Sequence, residues 1–252
     1  VTGASKRGWA TYFAGAANDS RVVGLVPVVY DNLNIPAQVQ NQKSRWGQTS
    51  EAAAPYDEIG LFDVAADPQK REIVAAIDPY FVRERLSMPK LLINATNDEF
   101  WAHNSSDFYL NDLPGPTRLY FVPNAPHILG AGATGAAGTV AAWSRQILSG
   151  QTPPGISLQT QNDAQNTRFV AKTNAKNLRA VRLWFASAPT KDFREARWSS
   201  VTLGGENGEF SAILTRAQLF KNGENASAFA EIEVAATPIP LRLSSRLWNS
   251  EP

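Results

Sequence analysis

Three residues of the types that cooperate in nucleophilic catalysis occur along this chain in the order serine, aspartate, histidine. Ser5 lies among small residues near the first residue, and Asp98 and His127 each follow a short apolar run. In such a triad the histidine takes the serine proton and later protonates the leaving group, while the aspartate orients the imidazole and stabilises its charged form. The three residues therefore predict a site for acyl transfer to Ser5.

The residues around Ser5 are typical of a tight turn between a strand and a helix. Gly3 lets the turn close, and Gly8 lets the following helix lie close to a sheet. The pattern is similar to the G-x-S-x-G nucleophile elbow of α/β-hydrolases, whose triad has the same order along the chain, although the second glycine here comes one residue later. A serine before a helix is also a common N-cap, which is the alternative interpretation of Ser5 taken alone.

Two further acids and a second histidine offer alternatives near the predicted triad. Glu99 is adjacent to Asp98 and is an alternative acid for the histidine. Asp31 follows another apolar run, where an acid, a turn residue or a substrate contact would fit. His103 shares a loop with Asp98, and we expect it to belong to a helix cap and to take no part in catalysis.

Other side chains are candidates for substrate contacts around the triad. Lys6 and Arg7 place positive charge beside the nucleophile, where they would contact an oxyanion or an anionic substrate. The alternative is that both are solvated or paired with a carboxylate. Trp46, Tyr56 and Trp101 are candidates for the mouth of a pocket, or alternatively for packing among neighbouring helices.

The apolar pattern predicts an α/β framework around these residues. Helical spacing of apolar residues predicts a helix directly after Ser5, and buried apolar runs predict strands over Val22–Val29, Lys90–Ala95 and Arg118–Val122. The long segment 31–87 is predicted to contain helices and loops. Buried strands that alternate with helices are typical of a mostly parallel sheet, here the C-terminal part of an α/β-hydrolase sheet with flanking helices.

A break at Ser149–Gly155 ends this pattern, because two prolines beside glycine continue neither a helix nor a strand ladder. Beyond the break the apolar period is two. It predicts strands over Arg168–Lys172, Ala180–Ala186, Phe210–Leu214, Ala226–Val234 and Leu241–Leu247. Short strands between polar turns indicate an all-β sandwich. We therefore predict a catalytic domain over residues 1–150 and a β-sandwich domain over residues 151–252.

Composition excludes several classes of function. The 24 basic and 23 acidic residues give a formal net charge of +1 without a dense basic run, so nucleic acid is not an expected partner. The longest apolar stretch, Val22–Tyr30, is too short for a transmembrane segment. Cysteine is absent, which excludes disulfides and thiolate chemistry, and the two histidines lack the spacing of a metal site. We predict no metal and no cofactor.

The chain begins at Val1, directly before the nucleophile turn. In an α/β-hydrolase, further strands and a loop that contributes to the oxyanion hole come before that turn. We therefore expect the N-terminal half of the domain to be missing from these 252 residues. We also expect the chain by itself to be inactive and to fold poorly, since an edge of the sheet would be left unpaired.

Residues 1–9, Asp78–Lys90, Ile93–Phe100 and Tyr120–His127 together resemble the PhoPQ-activated pathogenicity-related proteins. The resemblance implies an α/β-hydrolase domain followed by an immunoglobulin-like domain, a bacterial origin, export to the periplasm or the exterior, and a role in virulence. It also maps a triad onto the same serine, aspartate and histidine.

Two classes of function follow from these expectations. The first is a serine hydrolase that cleaves an ester or an amide, in a small molecule or a peptide, through an acyl-enzyme. The alternative is a non-catalytic secreted protein that binds or signals, with the β-sandwich as its contact surface. The classes differ in whether the biological effect needs the Ser5 hydroxyl.

Overall fold

A parallel sheet forms the centre of the N-terminal part of the protein, in a computed structural model that describes residues 1–250. Its strands are β1 (Thr2–Ala4), β2 (Val26–Val28), β3 (Lys90–Ala95) and β4 (Thr117–Val122). They lie side by side in that order and run parallel. Every residue of β3 is buried, as is typical of a strand that is covered on both faces.

α-Helices follow three of the four parallel strands, β1, β2 and β4. The helix α1 (Lys6–Ala16) begins directly after Ser5, as predicted. Between β2 and β3 the segment 31–87, which we call the cap, contains α2 (Ile35–Trp46), α3 (Ala54–Glu58), α4 (Leu61–Ala66) and α5 (Arg71–Ile77). The cap has an apolar cluster of its own, formed by Ile35, Val39, Ala53, Phe62 and Ala65. After β4 comes α6 (Ala133–Leu148), whose Trp143 is buried.

Short 3₁₀ turns complete the helical part of the chain. They span Glu51–Ala53, Pro68–Lys70, Pro79–Arg85, Ser105–Phe108, Leu110–Asp112 and Gly130–Gly132. The sequence predicts one helix over residues 106–113, and the structure has two 3₁₀ turns there. Tyr109 lies between them with φ −150°, a value that does not fit a helix.

The rest of the chain is β-rich. Its strands are β5 (Ile156–Asn162), β6 (Asn166–Thr173), β7 (Leu178–Ala188), β8 (Ser199–Thr202), β9 (Gly204–Glu206), β10 (Glu209–Thr215), β11 (Asn225–Val234), β12 (Leu241–Ser244) and β13 (Trp248–Asn249). One short helix, α7 (Arg216–Leu219), follows β10. Strands β5, β6, β10 and β9 pair in that order as an antiparallel sheet.

The other β-rich strands extend the central sheet. Its order is β1-β2-β3-β4-β12-β11-β7-β8, and the junction is the antiparallel pairing of β4 with β12 at Leu119 and Ser244. One apolar cluster contains residues of the parallel strands, of α6 and of both sheets. Examples are Ile93 in β3, Phe169 in β6 and Ala228 in β11. The protein is therefore mixed α/β, with a central sheet that is parallel in its first half and a second, antiparallel sheet.

Some predicted boundaries were wrong. A strand was expected over Val22–Val29, but only β2 forms there. Val23 lies outside β2 and is 48% exposed, so the start of the apolar run is not a buried strand. The pairing of β2 with β3 is short, as the proline within β2 indicates, since Pro27 has no N–H to donate. The last predicted strand ends at Ser244. The segment 149–155 contains no helix or strand, in agreement with the predicted break.

Within residues 1–250 no helix combines the length and the apolar character that crossing a membrane would need.

Candidate active site

Ser5 occupies a strained turn between β1 and α1. Its backbone has φ 51° and ψ −124°, a positive φ that a residue with a side chain rarely adopts. Strain of this kind is often retained at functional sites because the surrounding structure enforces it. The Ser5 hydroxyl makes no capping hydrogen bond to α1, and its Oγ lies 2.7 Å from Nε2 of His127. The alternative of a simple N-cap is therefore not what the structure has.

Two glycines permit this turn, as the sequence predicts. A Cβ on Gly3 would overlap the carbonyl group of Arg7 in the first turn of α1. A Cβ on Gly8 would lie 2.7 Å from Cβ of Tyr30, where the helix crosses the segment after β2. Only glycine allows both approaches without moving backbone, so the position of the Ser5 hydroxyl depends on these two residues.

His127 lies on the loop after β4 with its ring nearly buried. Its Nδ1 lies 2.8 Å and 3.0 Å from the two carboxylate oxygens of Asp98, while Nε2 faces Ser5. The ring of Phe100 packs on the imidazole with 4.3 Å between ring centres. The imidazole is thus held on one side by a carboxylate and on one face by an aromatic ring, with one nitrogen directed at the serine.

Asp98 follows β3 and is buried. Besides the histidine ring, its Oδ1 accepts hydrogen bonds from the backbone N–H of Phe100 at 2.8 Å and of Trp101 at 3.3 Å. Burial raises the pKa of Asp98 above its ordinary value, while the hydrogen bond and charge of His127 act in the opposite direction. The structure therefore brings the three predicted triad residues together in one hydrogen-bonded chain.

The two alternative acids have other contacts. Oε2 of Glu99 accepts a hydrogen bond from the backbone N–H of His127 at 2.9 Å, so this carboxylate holds the loop and not the ring. Asp31 is buried, where Tyr109 donates its hydroxyl to Oδ1 and Asn94 donates its amide to Oδ2 at 2.8 Å. Burial raises the pKa of Asp31 to about 8.

His103 lies away from the triad, in contact with the β-rich part. Its Nε2 is 3.3 Å from Oδ1 of Asn249, and its ring packs against Phe193 with 4.4 Å between ring centres. Burial lowers the pKa of His103 to about 3, so the ring is neutral near pH 7. His103 is therefore not the helix cap that the sequence predicts, because Asn104 is the residue that precedes the 3₁₀ turn. His103 instead joins two segments that are distant in the sequence.

Lys6 and Arg7, the candidates for oxyanion or anion contacts, are both exposed at the start of α1. Lys6 borders a recess next to Ser5, whereas Arg7 contributes its carbonyl group to the hydroxyl of Thr11. In the described part of the chain, no group of three or more histidine, cysteine, aspartate or glutamate residues is arranged to hold a metal ion.

The recess beside Ser5 is narrow, with a cavity volume of about 30 Å³ inside a wider space that is open to solvent. Its lining is mostly aromatic and aliphatic: Ser5, Lys6, Trp9, Tyr30, Asn32, Ile35, Ala53, Tyr56, Leu61, Phe62, Phe100 and Trp101. Of the three predicted pocket aromatics, Tyr56 and Trp101 line this recess. Trp46 instead packs under the guanidinium group of Arg194, 4.3 Å from its ring centre.

Two asparagines that the sequence analysis did not single out join the triad loops to the β-rich part. The Asn97 amide donates to the carbonyl oxygens of Phe193, Arg194 and Ala196 at 3.3, 3.0 and 2.7 Å. Asn124, three residues before His127, pairs with the main chain of Trp198. Their signal in the sequence was their position next to predicted triad residues, on loops that follow buried strands.

Comparison with known proteins agrees with the resemblance noted in the sequence. The sequence model of the family described as PhoPQ-activated pathogenicity-related protein matches residues 1–194. The chain belongs to this family. The match includes all of the parallel strands, the triad loops and part of the segment that Asn97 binds in this PhoPQ-related protein.

A curated relative of this PhoPQ-related protein is Autocrine proliferation repressor protein A of Dictyostelium discoideum, which is 37% identical over 131 residues. The alignment covers 51% of this chain and 26% of the relative, so the chain matches about a quarter of the relative's length. Among solved structures, wild-type OgpA from Akkermansia muciniphila has 12% identity and a TM-score of 0.30, over 68% of this chain and 46% of its own. Catalytically inactive OgpA in complex with an O-glycopeptide substrate, glycodrosocin, has 11% identity and a TM-score of 0.29, over 79% and 72%.

Proposed function

We propose that this protein is a serine hydrolase that cleaves an ester or an amide through an acyl-enzyme. The observation that carries the proposal is the hydrogen-bonded chain in which Oγ of Ser5 lies 2.7 Å from Nε2 of His127 and Nδ1 of His127 lies 2.8 Å from Asp98. Such a chain activates a hydroxyl that is otherwise a weak nucleophile at neutral pH.

The geometry supports a reaction in two stages. Nε2 of His127 accepts the Ser5 proton as Oγ forms a bond to the substrate carbonyl carbon, and the same nitrogen then gives that proton to the leaving alcohol or amine. In the second stage a water molecule loses a proton to His127 and attacks the acyl-enzyme, which releases the carboxylic acid and restores the serine. Asp98 stabilises the imidazolium that forms in each stage.

The start of α1 suits a developing negative charge on the carbonyl oxygen. N–H groups in the first turn of a helix have no partner within the helix, and the helix dipole favours negative charge there. The backbone N–H of Lys6, next to the nucleophile, is the donor that we assign to the oxyanion. In this proposal the exposed Lys6 and Arg7 side chains add positive charge close to that oxygen.

The proposal extends to the fold. Parallel strands in the order β1-β2-β3-β4, with the serine after β1, the aspartate after β3 and the histidine after β4, favour the C-terminal part of an α/β-hydrolase sheet. Beyond residue 155, the antiparallel sheet β5-β6-β10-β9 together with the antiparallel half of the central sheet favours an immunoglobulin-like sandwich. The substrate class at this level is an ester or amide of a small molecule or peptide.

The test is covalent labelling of the full-length protein with a fluorophosphonate probe, which reacts with activated serines. We expect labelling of the wild type and its loss in Ser5→Ala. Ser187→Ala is the matched control, since Ser187 is a buried serine of β7 outside the triad and its loops, and its loss should leave labelling in place. A folded wild type that takes up no probe would overturn the proposal.

A second candidate is supported by the name of the curated relative, which describes a repressor of proliferation and no reaction. Under this candidate the protein is secreted and binds a receptor or other partner without catalysis. Its effect would persist in Ser5→Ala, whereas the hydrolase proposal predicts that it disappears. Cell fractionation tests the export that both candidates assume.

A further inference from the structure

The recess next to Ser5 lies on the acyl side of the nucleophile. In acyl transfer the leaving group receives its proton from Nε2 of the histidine and therefore lies on the side of His127. The described residues that line the recess include Ser5 and Lys6 but not His127. Phe100 separates the two sides, since its ring packs on His127 and also lines the recess. A group in the recess would therefore belong to the acyl part of the substrate.

The walls of the recess present carbon surfaces. Trp9 stacks on Tyr30 with 5.8 Å between ring centres, and Trp101 packs edge-on against Tyr30 at 5.8 Å. The polar atoms of the two indoles are engaged elsewhere: Trp9 donates to the carbonyl group of Ile77 at 2.7 Å, and Trp101 donates to that of Val29 at 3.1 Å. The rings therefore offer flat apolar faces and no free N–H donor.

The cap closes the far side of the recess. Three cap residues that line the recess are buried: Ile35 at the start of α2, Ala53, and Phe62 in α4. Two others, Tyr56 and Leu61, are half-buried at its rim. Among the lining residues that the structure describes, Lys6 alone carries a charge, and it is exposed at the edge. A buried carboxylate or ammonium group would have no charged partner inside, whereas burial of an apolar group there is favourable.

From this placement, and resting on the proposed hydrolase function, the geometry points to a specificity pocket for an apolar acyl group. The substrate class is an ester or amide whose acyl part carries a slender aliphatic chain, since the cavity volume is only about 30 Å³. In a peptide this group is the side chain of the residue on the amino side of the cleaved bond. The closely spaced aromatic walls select slender groups, and the cap sets the length that is accepted.

The test compares p-nitrophenyl hexanoate with p-nitrophenyl acetate, using the full-length protein. The two esters have the same leaving group and differ in the apolar length of the acyl part. We expect kcat/KM to be about 10- to 100-fold higher for the hexanoate, since each buried methylene contributes to binding in the transition state. Equal values for the two esters would overturn the pocket assignment without any use of a variant.

A pair of tryptophan substitutions in the cap tests the location. Leu61→Trp adds a bulky ring at the rim of the recess. We expect it to lower the ratio of kcat/KM for the hexanoate to kcat/KM for the acetate at least about tenfold. Ile59→Trp is the control, because Ile59 lies two residues away, is 76% exposed and does not line the recess, so its ratio should equal that of the wild type. An unchanged ratio in a folded Leu61→Trp would overturn the assignment.

Fluorophosphonate labelling separates failure of this inference from failure of the proposed function. The probe should carry a short ethyl group on phosphorus, so that its reaction with Ser5 does not depend on the recess. If this probe labels the wild type but hexanoate is not preferred, the hydrolase proposal stands and the pocket assignment is wrong. If the folded protein is not labelled, the hydrolase proposal itself is wrong, and the pocket assignment is wrong with it.

Discussion

Asn124 and Trp198 are joined by a reciprocal pair of hydrogen bonds. The Asn124 amide donates to the Trp198 carbonyl oxygen at 2.9 Å, and its Oδ1 accepts from the Trp198 N–H at 2.8 Å. Asn124 lies on the loop that carries His127, and Trp198 lies directly before β8. Together with the three hydrogen bonds of Asn97, this pair ties both triad loops to the segment 189–198. The β-rich part therefore helps to hold the histidine and the aspartate in place.

We first predict that Asn97→Ala destabilises the protein by about 2 kcal/mol and slows fluorophosphonate labelling. Its amide group has two N–H donors that are shared among three main-chain carbonyl oxygens, and a net contribution of roughly 1 kcal/mol for each donor is typical. Urea denaturation gives the stability, and labelling is timed under conditions where the variant is fully folded.

Asn225→Ala is the control for that experiment. Asn225 donates one exposed hydrogen bond to the carbonyl group of Pro189, at the other end of the same segment. Its loss should change the free energy of unfolding by less than about 1 kcal/mol and leave the labelling rate as it is. If the folded Asn97→Ala variant is labelled as fast as the wild type, the segment 189–198 does not position the triad.

The second prediction separates the roles of the two adjacent acids. Asp98→Asn should lower kcat about 10⁴-fold, as loss of the carboxylate does in other serine triads, because the imidazole is then held in the wrong tautomer. Glu99→Gln should lower it less than about tenfold, since the amide oxygen still accepts the hydrogen bond from the His127 N–H. Ester hydrolysis measured side by side tests both, and the reverse ranking would make Glu99 the acid.

The sequence alone predicted β3 and β4 and the positions of Asp98 and His127 after them. That was possible because β3 contains the apolar run Leu91–Ile93 and β4 the apolar run Leu119–Val122, and such runs are typical of buried parallel strands. The positions of Ser5, Asp98 and His127 after predicted strands then placed them at one end of a sheet.

Other features depend on contacts that no local pattern records. The pairing of β4 with β12 joins Leu119 to Ser244, and the Asn97 contacts reach a segment almost as distant. Strands of three or four residues, such as β8 and β9, are too short for an alternating pattern to be recognised. The recess is formed by residues of α1, the cap and the loop after β3, so its shape arises only in the folded chain.

The third prediction concerns Gly8, the residue of α1 that lies against Tyr30. Gly8→Ala should destabilise the protein by about 1–3 kcal/mol, because the added methyl group would lie 2.7 Å from Cβ of Tyr30 and one of the two must move. Movement of α1 displaces Ser5, so labelling should slow as well. Ala10→Gly, at an exposed site in the same helix, should cost only about 1 kcal/mol through helix propensity and leave labelling unchanged.

The fourth prediction is a pH dependence of stability caused by Asp31. Its pKa is raised from 3.8 to about 8 in the folded protein by burial, so between these values the folded state holds a proton that the unfolded state has lost. The free energy of unfolding therefore falls as pH rises through this window, by up to about 1.4 kcal/mol per pH unit, and the loss is complete above the folded pKa. Stability from this group is fully present only below the unfolded pKa.

Asp31→Asn removes the titration while keeping an oxygen that accepts the Tyr109 hydroxyl. Urea denaturation, followed by tryptophan fluorescence, is measured at about pH 5, 6, 7 and 8. The free energy of unfolding should depend less on pH in this variant than in the wild type. Asp163→Asn is the control: hydrogen bonds from Gln165 and Asn166 lower the pKa of this exposed carboxyl, so it titrates below the range measured. Parallel curves for the wild type and Asp31→Asn would mean that Asp31 is already ionised at pH 5, with its charge stabilised by the hydrogen bonds from Tyr109 and Asn94.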